Sequence, residues 1–511
     1  MISVMKKTLF FLLMLTSALV HAQSRTDANK IRTLIVFFDG LRPDYITPES
    51  MPNLSAFAKS GCYGKQHHSV FPTVTRVNAS SYSTGSYPDT HGLMGNTVYF
   101  PEVDKIKGLN TGDYADLNKI SETTHGHLLT AITLGEALQK AGEKMMVFSS
   151  GSTGQALMQN HTVSGGAIVN PGLVLPESFK QTLINDIGPV PAKGKPNTAQ
   201  HQWITNALIK YSLNTSGPLV SAIWFSDPDG TAHSDGIGSA TAMESIRSVD
   251  NEFGRILSAL KDSNLTDYFN IIVSTDHGFV TNVGKEGLAE FLIRQGIKKD
   301  TQSDDVVVAE GAIYVKDHDA AVIKKIVSLL QSQEWIGAIF TKAKTQDDGK
   351  GIVEGTLSFN VIHWNHPERA ADILVDENWD DRKNDKGYAG TSFSRGVAGH
   401  GGLSPYEVHI ALLAAGPSFK KNLESELPTS NTDIVPTVLH IHNLAIPKTV
   451  TGRVMDELLT QKSNAPKLTA KQETITTSAG FDGGTYTLTL DRTVLGKYQY
   501  VNFAKVQRVK K

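Results

Sequence analysis

Thr33-Leu-Ile-Val-Phe-Phe-Asp39-Gly40 is the stretch that decides the fold. Six uncharged residues, mostly apolar and rich in β-branched and aromatic types, end on an acid and a glycine. A run without polar alternation suits a strand covered on both faces, as in a mostly parallel sheet. An acid at the strand tip, followed by Gly40, either reaches a metal without being buried unpaired or caps the next helix.

Working outward, the same kind of run recurs at Lys144–Ser149, Leu219–Phe225, Asn270–Thr275 and Val408–Ala414. Helical patterns lie between them, at Met51–Lys59, Leu134–Ala141, Gln200–Ser212 and Ser239–Lys261. Pro52 near its start and Gly61 past its end bound the first of these. The alternation predicts an α/β fold, a doubly wound mostly parallel sheet with helices on both faces. Ligands in such sheets bind beyond the carboxyl ends of the strands. Asp39, Asp229 and Asp276 all fall there.

Residues 279–400 read as an inserted, cap-like excursion. Gly287–Ile297 and Ala320–Gln333 are expected helices, and Val306–Val315 and Ile373–Val375 expected strands. The charged, Gly-containing stretch Trp379–Tyr388 reads as a surface loop. From residue 466 to 511, β-formers such as Thr474, Thr476, Tyr486, Leu488 and Leu490 alternate around Asp482-Gly483-Gly484. That is a hairpin signal and predicts a small β appendage. The catalytic domain is therefore expected over 23–465.

At the amino terminus, Lys6 and Lys7 precede an apolar run from Thr8 to Val20, and Val20-His21-Ala22 offers small-residue cleavage. Residues 1–22 read as a signal peptide, because a membrane span needs ~18 or more apolar residues. The expected localisation is export, to the periplasm or outside, with no membrane span once the leader is removed. No Cys follows the cleavage point, which argues against a lipoprotein anchor. Of 511 residues, loss of 22 leaves 489, and loss of Lys6 and Lys7 takes the net charge from −2 to −4. That balance gives no electrostatic basis for a nucleic-acid-binding module. The single cysteine, Cys62, permits no internal disulfide and reads as a small buried residue rather than a nucleophile.

The chemistry is carried by five short stretches. Together they offer three carboxylates, three imidazoles and a hydroxyl: Asp39, Thr75, Asp229 with His233, Asp276 with His277, and His400. Asp229 and His233 are four apart, close enough to share one ion in a loop or first helical turn. Asp227 is the competing ligand, and a polar turn whose acids only cap is the plain alternative. In Ser274-Thr-Asp276-His277-Gly278, adjacent side chains normally diverge, but a bend at the glycine can aim both at one ion. His400 lies between glycines that allow close approach of backbone to a ligand. Thr75 falls where a helix begins. There Thr73 or Thr75 either caps the helix or, with a metal to lower its hydroxyl pKa, Thr75 is a nucleophile.

Taken in order, these residues resemble the alkaline phosphatase superfamily, in its type I phosphodiesterase/nucleotide pyrophosphatase branch. The matching stretches are Phe37-Phe-Asp39-Gly-Leu-Arg-Pro-Asp-Tyr45, Phe71-Pro-Thr-Val-Thr75, Thr84-Gly-Ser-Tyr-Pro-Asp-Thr-His91-Gly-Leu-Met-Gly-Asn96, Asp229-x-x-x-His233, Ser274-Thr-Asp276-His277-Gly, Gly399-His400-Gly, Thr432-Asp-Ile-Val-Pro-Thr-Val-Leu439 and Val450-Thr-Gly-Arg453. The resemblance implies two divalent metal ions, zinc or else manganese. Asp229, His233 and His400 would hold one; Asp39, Asp276 and His277 would hold the other, with Thr75 coordinating it as nucleophile. Asn96 matches the position whose amide contacts a phosphoryl oxygen. The implied reaction is hydrolysis of a phosphodiester or pyrophosphate in a small-molecule phosphate ester through a phospho-threonine. A phosphomonoesterase or phosphonate hydrolase of the same superfamily is the alternative within the enzymes, and a non-catalytic periplasmic binding protein the alternative outside them. Arg76 stands where the branch usually carries an aromatic residue that helps stack a base, and Val77-Asn78-Ala79 where Pro-Asn-His is usual. Nucleotide preference therefore does not follow from the resemblance. Arg76 either binds an anionic part of the substrate or is a solvated helix residue.

Overall fold

The computed structural model describes residues 30–510 apart from 344, 346–348 and 462–467. The leader read at 1–22 lies outside the described residues, as does the domain boundary placed at 465.

Nine strands form the central sheet. From one edge to the other they are Leu423–Ser430, Cys62–His68, His409–Ala415, Phe269–Ser274, Arg32–Phe38, Val220–Phe225, Met145–Ser149, Ala167–Asn170 and Leu173–Leu175. Arg32–Phe38 lies at the middle and pairs in parallel with both neighbours. His409–Ala415 runs antiparallel to both of its neighbours, so the run expected at Val408–Ala414 interrupts the parallel order. Four of the nine strands were not expected: the short edge pair Ala167–Asn170 and Leu173–Leu175, and two polar strands. Cys62–His68 carries Lys65, Gln66, His67 and His68 and lacks a continuous apolar run, and Leu423–Ser430 is polar on one face.

The central strand shows why both faces are apolar. Leu34, Val36 and Phe38 point into one core with Leu54, Trp203, Val249 and Phe253. Ile35 and Phe37 point into the other with Ala79, Tyr82, Leu134, Leu138 and Val438. Those partners come from helices Pro52–Ser60, Thr198–Tyr211 and Ala240–Asp262 on the first face, and Thr75–Thr84, Leu134–Lys140 and Ile434–Ile441 on the second. Two strand faces buried by two helix layers give the doubly wound arrangement. Among the described residues no helix is long and apolar enough to cross a membrane.

The 279–400 region builds its own five-stranded sheet, in the order Val306–Ala309, Ala312–Val315, Ile373–Glu377, Ile336–Thr341, Leu357–Ser358, with helix Ala320–Gln331 against it. The expected single strand Val306–Val315 is thus a tight hairpin, broken at Glu310-Gly311. Trp379–Tyr388, expected as a loop, opens with a strand, Trp379–Lys383, that pairs with Ala389–Arg395. Its charges hid it: residues 381–383 are exposed on an edge strand, where charged side chains are ordinary.

The carboxyl-terminal stretch is a three-stranded meander, Ala470–Phe481, Gly484–Leu495 and Tyr498–Lys510, rather than one hairpin. The second turn, Gly496-Lys497 with Gly496 at φ 64°, is the signal that was missed. One face of this sheet, through Tyr486, Leu488 and Leu490, joins the core. Tyr486 Oη donates to the Gly337 carbonyl (3.0 Å), Trp379 Nε1 to the Ala504 carbonyl (2.7 Å), and Tyr500 Oη to Asp433 Oδ2 (3.0 Å). His68 Nε2 is 2.9 Å from Asn502 Oδ1. The meander therefore bridges the inserted sheet and the central one.

Candidate two-metal active site

Asp39 is the first residue past its strand and is 4% exposed. It caps no helix; the next one opens at Pro43 after Arg42. Trp224 Nε1 donates to its Oδ2 at 2.9 Å, and the Trp224 ring stacks on Phe37 at 4.4 Å between centroids. The chain can turn there only because residue 40 is glycine. Gly40 has φ 70°, and a Cβ would stand 3.0 Å from Phe279 and 3.2 Å from the Asp229 backbone. Its amide then donates to Asp276 Oδ1 at 3.0 Å.

The bend after Phe269–Ser274 aims Asp276 and His277 the same way. His277 Nε2 is 3.0 Å from Asp276 Oδ2 and 3.6 Å from Asp39 Oδ1. The second triplet forms across two elements. Asp229 opens helix Asp229–Asp235 without making a side-chain cap bond, and His233 follows one turn later. His233 Nε2 and His400 Nε2 approach Asp229 Oδ1 at 3.2 and 3.3 Å. Asp39, Asp276 and His277 make one group whose ligand atoms lie within 4.8 Å of one another, and Asp229, His233 and His400 make the other. Asp227 joins neither. Its Oδ2 accepts from the Asn197 amide at 2.9 Å and lies 3.7 Å from His201 Nε2.

Each imidazole is oriented from behind. His233 Nδ1 is 3.0 Å from the Ala398 carbonyl, His277 Nδ1 3.0 Å from that of Gly278, and His400 Nδ1 2.9 Å from that of Thr73. A carbonyl only accepts, so each Nδ1 carries a proton and each Nε2 is the ring atom turned to the carboxylates. Asp39 Oδ1, Asp229 Oδ1 and Asp276 Oδ2 are buried without a hydrogen-bond partner. Buried carboxylate oxygens gathered with imidazole Nε2 atoms are a donor set that a cation would satisfy. Burial, then Asp276 and Asp229, hold Asp39 well above the usual carboxylate range. Burial, then His277, pushes His400 down to about 4. The His277 and His400 rings stack with centroids 3.4 Å apart. Neutral imidazole and carboxylate are the donor set of a hard-to-borderline divalent ion such as zinc.

Thr75 begins helix Thr75–Thr84, whose N-cap is Val74 with no side-chain cap bond. Neither threonine caps it. Thr73 Oγ1 donates to the Gly402 carbonyl (2.8 Å) and accepts from the Gly401 amide (3.1 Å), tying the His400 loop in place. Thr75 Oγ1 lies 3.2 Å from His277 Nε2, beside the Asp39 group. Asn96 Oδ1 accepts from the Arg76 amide at 3.1 Å, and its Nδ2 makes no bond among the described residues. Arg76 is not a solvated helix residue. Its Nε is buried and unpaired, and it lines a cavity of about 600 Å³ with Asp39, Thr75, Ser150, Asp229 and Lys193. Burial lowers its pKa, and Glu310 leads the acids that oppose this.

Trp224 and Glu310 went unnoticed in the sequence. Trp224 lies in an apolar run and read as core; an indole N–H one residue from a strand end was its only mark. Glu310 belongs to the inserted hairpin and had none. The sequence model described as "Type I phosphodiesterase / nucleotide pyrophosphatase" matches residues 33–388. A Xenopus laevis bis(5'-adenosyl)-triphosphatase enpp4 is 25% identical over 421 residues, 80% of this chain and 77% of that one. Murine ectonucleotide pyrophosphatase / phosphodiesterase 5 superposes with TM-score 0.59 at 19% identity, over 84% of this chain and 100% of its own. A variant of the alkaline phosphatase PafA superposes with TM-score 0.63 at 15% identity, over 84% and 99%. The chain belongs to the type I phosphodiesterase / nucleotide pyrophosphatase family, shares its fold with the alkaline phosphatase PafA, and is a phosphoric ester hydrolase.

Proposed function

We propose that the protein hydrolyses phosphodiester or pyrophosphate bonds of a small-molecule substrate through a phospho-threonine formed on Thr75. The observation that carries this is the row of bare carboxylate oxygens on Asp39, Asp229 and Asp276, opposed by three imidazole Nε2 atoms, with the Thr75 hydroxyl at one end. Asp229, His233 and His400 would hold one divalent ion, and Asp39, Asp276, His277 and Thr75 the other. Zinc suits these donors best, and manganese is the alternative. When bound, the two ions lower the pKa of the threonine hydroxyl and offset charge on the transferred phosphoryl group.

The chain's own groups do the rest. Thr75 Oγ1, its proton given up to water, attacks phosphorus; the P–O bond to the leaving group breaks, and that group departs as an alkoxide from a diester or a phosphate from a pyrophosphate. The helix that begins at Thr75 directs its positive end at the developing charge. Because Asn96 Oδ1 is spent on the Arg76 amide, the Asn96 Nδ2 hydrogens turn outward to meet a phosphoryl oxygen. Water then cleaves the threonine ester, releasing the phosphate product and restoring Thr75. Arg76, in the cavity beside Thr75, binds an anionic part of the substrate. The leader supports export to the periplasm or the outside.

Arg76 and Lys193 in one cavity favour a second reading, a monoesterase or phosphonate hydrolase. Turnover of bis-p-nitrophenyl phosphate against p-nitrophenyl phosphate separates the two, and a strong monoester preference sinks the first. Thr75→Ala should lower kcat on either ester by on the order of 10³-fold or more while the circular dichroism spectrum is kept. Bis(5'-adenosyl) triphosphate, the compound in the name of the Xenopus laevis relative, belongs in the same panel.

A further inference from the structure

The inserted region delivers one acid to a cleft that it shares with Asn96, His233 and His400, beside the cavity lined by Thr75 and Arg76. In its hairpin Ala309 faces Ala312, which leaves Glu310 and Gly311 as a two-residue turn. Turns of this kind ask for φ > 0, and Asn, Asp or Gly adopt it at least cost. Glu310 holds φ 55°, an unfavourable choice for a long side chain. The turn is fixed from beneath, since a Cβ on residue 311 would come within 2.2 Å of the Val375 carbonyl oxygen.

The far end of the side chain is equally constrained. Glu310 Oε2 accepts from the Asn96 amide at 3.0 Å. It passes so close that a Cβ on residue 95 would stand 3.1 Å from that oxygen. The carboxylate shares a cleft of about 640 Å³ with Asn96, His233 and His400. A glutamine would make the same bond to Asn96. What the carboxylate adds is a negative charge, one hydrogen bond from Asn96, whose side chain in turn holds the Arg76 amide, and it is the leading acid acting on Arg76.

We propose that Glu310 is a specificity-determining residue that disfavours doubly charged phosphoryl groups and so biases the site toward diesters. This rests on the reading of Thr75 as nucleophile and Asn96 as phosphoryl ligand. A diester carries one negative charge on the phosphoryl group, and a monoester carries two at neutral pH. Arg76 alone favours the second charge, and Glu310 cancels that advantage. One opposed charge near the protein surface is worth on the order of tenfold in binding.

The test is Glu310→Gln, with Glu310→Asn as a second variant suited to the turn, assayed as full-length metal-loaded enzyme. The readouts are kcat/KM for bis-p-nitrophenyl phosphate and p-nitrophenyl phosphate, and the inhibition constant of inorganic phosphate. The monoester-to-diester ratio should rise about tenfold and phosphate should inhibit about tenfold more tightly, with diester kcat/KM held within about threefold. An unchanged ratio with an unchanged inhibition constant overturns the assignment, and so does an equal loss on both substrates. Thr75→Ala tests the underlying reading separately: turnover retained in that variant removes the nucleophile, whereas the effect on phosphate binding is read on Glu310 alone.

Discussion

The two candidate metal-ligand triplets share a chemistry but not a construction. Asp39, Asp276 and His277 hang from the ends of adjacent parallel strands and are buried, Asp39 at 4% and the other two at 0% exposure. Asp229, His233 and His400 come from a seven-residue helix and a glycine-flanked loop, and the His233 side chain is 44% exposed. The inner group has protein donors on its outward oxygens, from Trp224 and Gly40; Asp229 Oδ1 has only its two histidines. Ligands anchored in a sheet are positioned by the core, and ligands on loops by local hydrogen bonds. The inner group should therefore behave as part of the fold, and the outer one as part of the reaction.

The largest effect that contrast predicts is on activity and metal content together. Asp276→Asn should cost on the order of 10³-fold in kcat/KM and leave the inner ion unbound by elemental analysis. His233→Gln should lower activity yet keep one ion per chain. Loss of both ions from His233→Gln would erase the distinction. Chelation sharpens it further. A slow chelator titration should remove the exposed ion first, with activity lost before thermal stability falls. Saturating an ion at about 100 times its Kd adds about 2.7 kcal/mol to the fold, and that increment should disappear in the second phase. A single phase for both signals contradicts the prediction.

A smaller effect isolates one hydrogen bond. Trp224→Phe keeps an aromatic ring against Phe37 but removes the donor to Asp39 Oδ2. Such outer partners are worth about 10–100-fold in metal affinity, so the inner ion alone should weaken, as read by competition with a fluorescent chelator. Equal weakening of both ions would show that the two groups do not act separately.

The smallest effect concerns the neutral histidines packed beneath the two groups. His67, 3.2 Å from Ser274 Oγ, and His201, 3.3 Å from Ser226 Oγ, are each pushed down to about 3, mainly by burial. Their folded pKa lies below the ordinary value of 6.5, so the unfolded chain binds more protons, and stability falls as pH drops from 6.5 toward 3. Each histidine contributes about 1.4 kcal/mol per pH unit over that window. The urea midpoint of metal-free protein should decline below pH 6.5 and decline less steeply in His67→Gln. A midpoint flat from pH 7 to 5 would contradict the sign.

The same contrast explains how much could be read in advance. The inner group follows uninterrupted apolar runs, so Asp39 and Asp276 were visible as strand-end acids. Asp229 and His233 were visible by their spacing, and His400 only through its place in the order of motifs. The strand Cys62–His68 was hidden because only Cys62 of its buried positions packs in the apolar core; Gly64 has no side chain, and His67 and His68 are held by polar contacts to Thr429 and Asn502. Trp379–Lys383 was hidden by charge, and Glu310 by coming from a hairpin whose turn residue breaks the usual turn preference. Side chains that act through tertiary contact, Trp224 and Glu310 above all, leave no periodicity to find.

The terminal meander has a consequence for selectivity. Its bonds to Gly337, Trp379, Asp433 and His68 tie the inserted sheet to the central one at several separated points. The gap between Glu310 and the nucleophile's helix is then an aperture of set width, like jaws locked by a strap behind the hinge. The last forty residues of the chain thus brace the inserted sheet, which carries Glu310, against the central sheet, which carries Asp39 and Asp276.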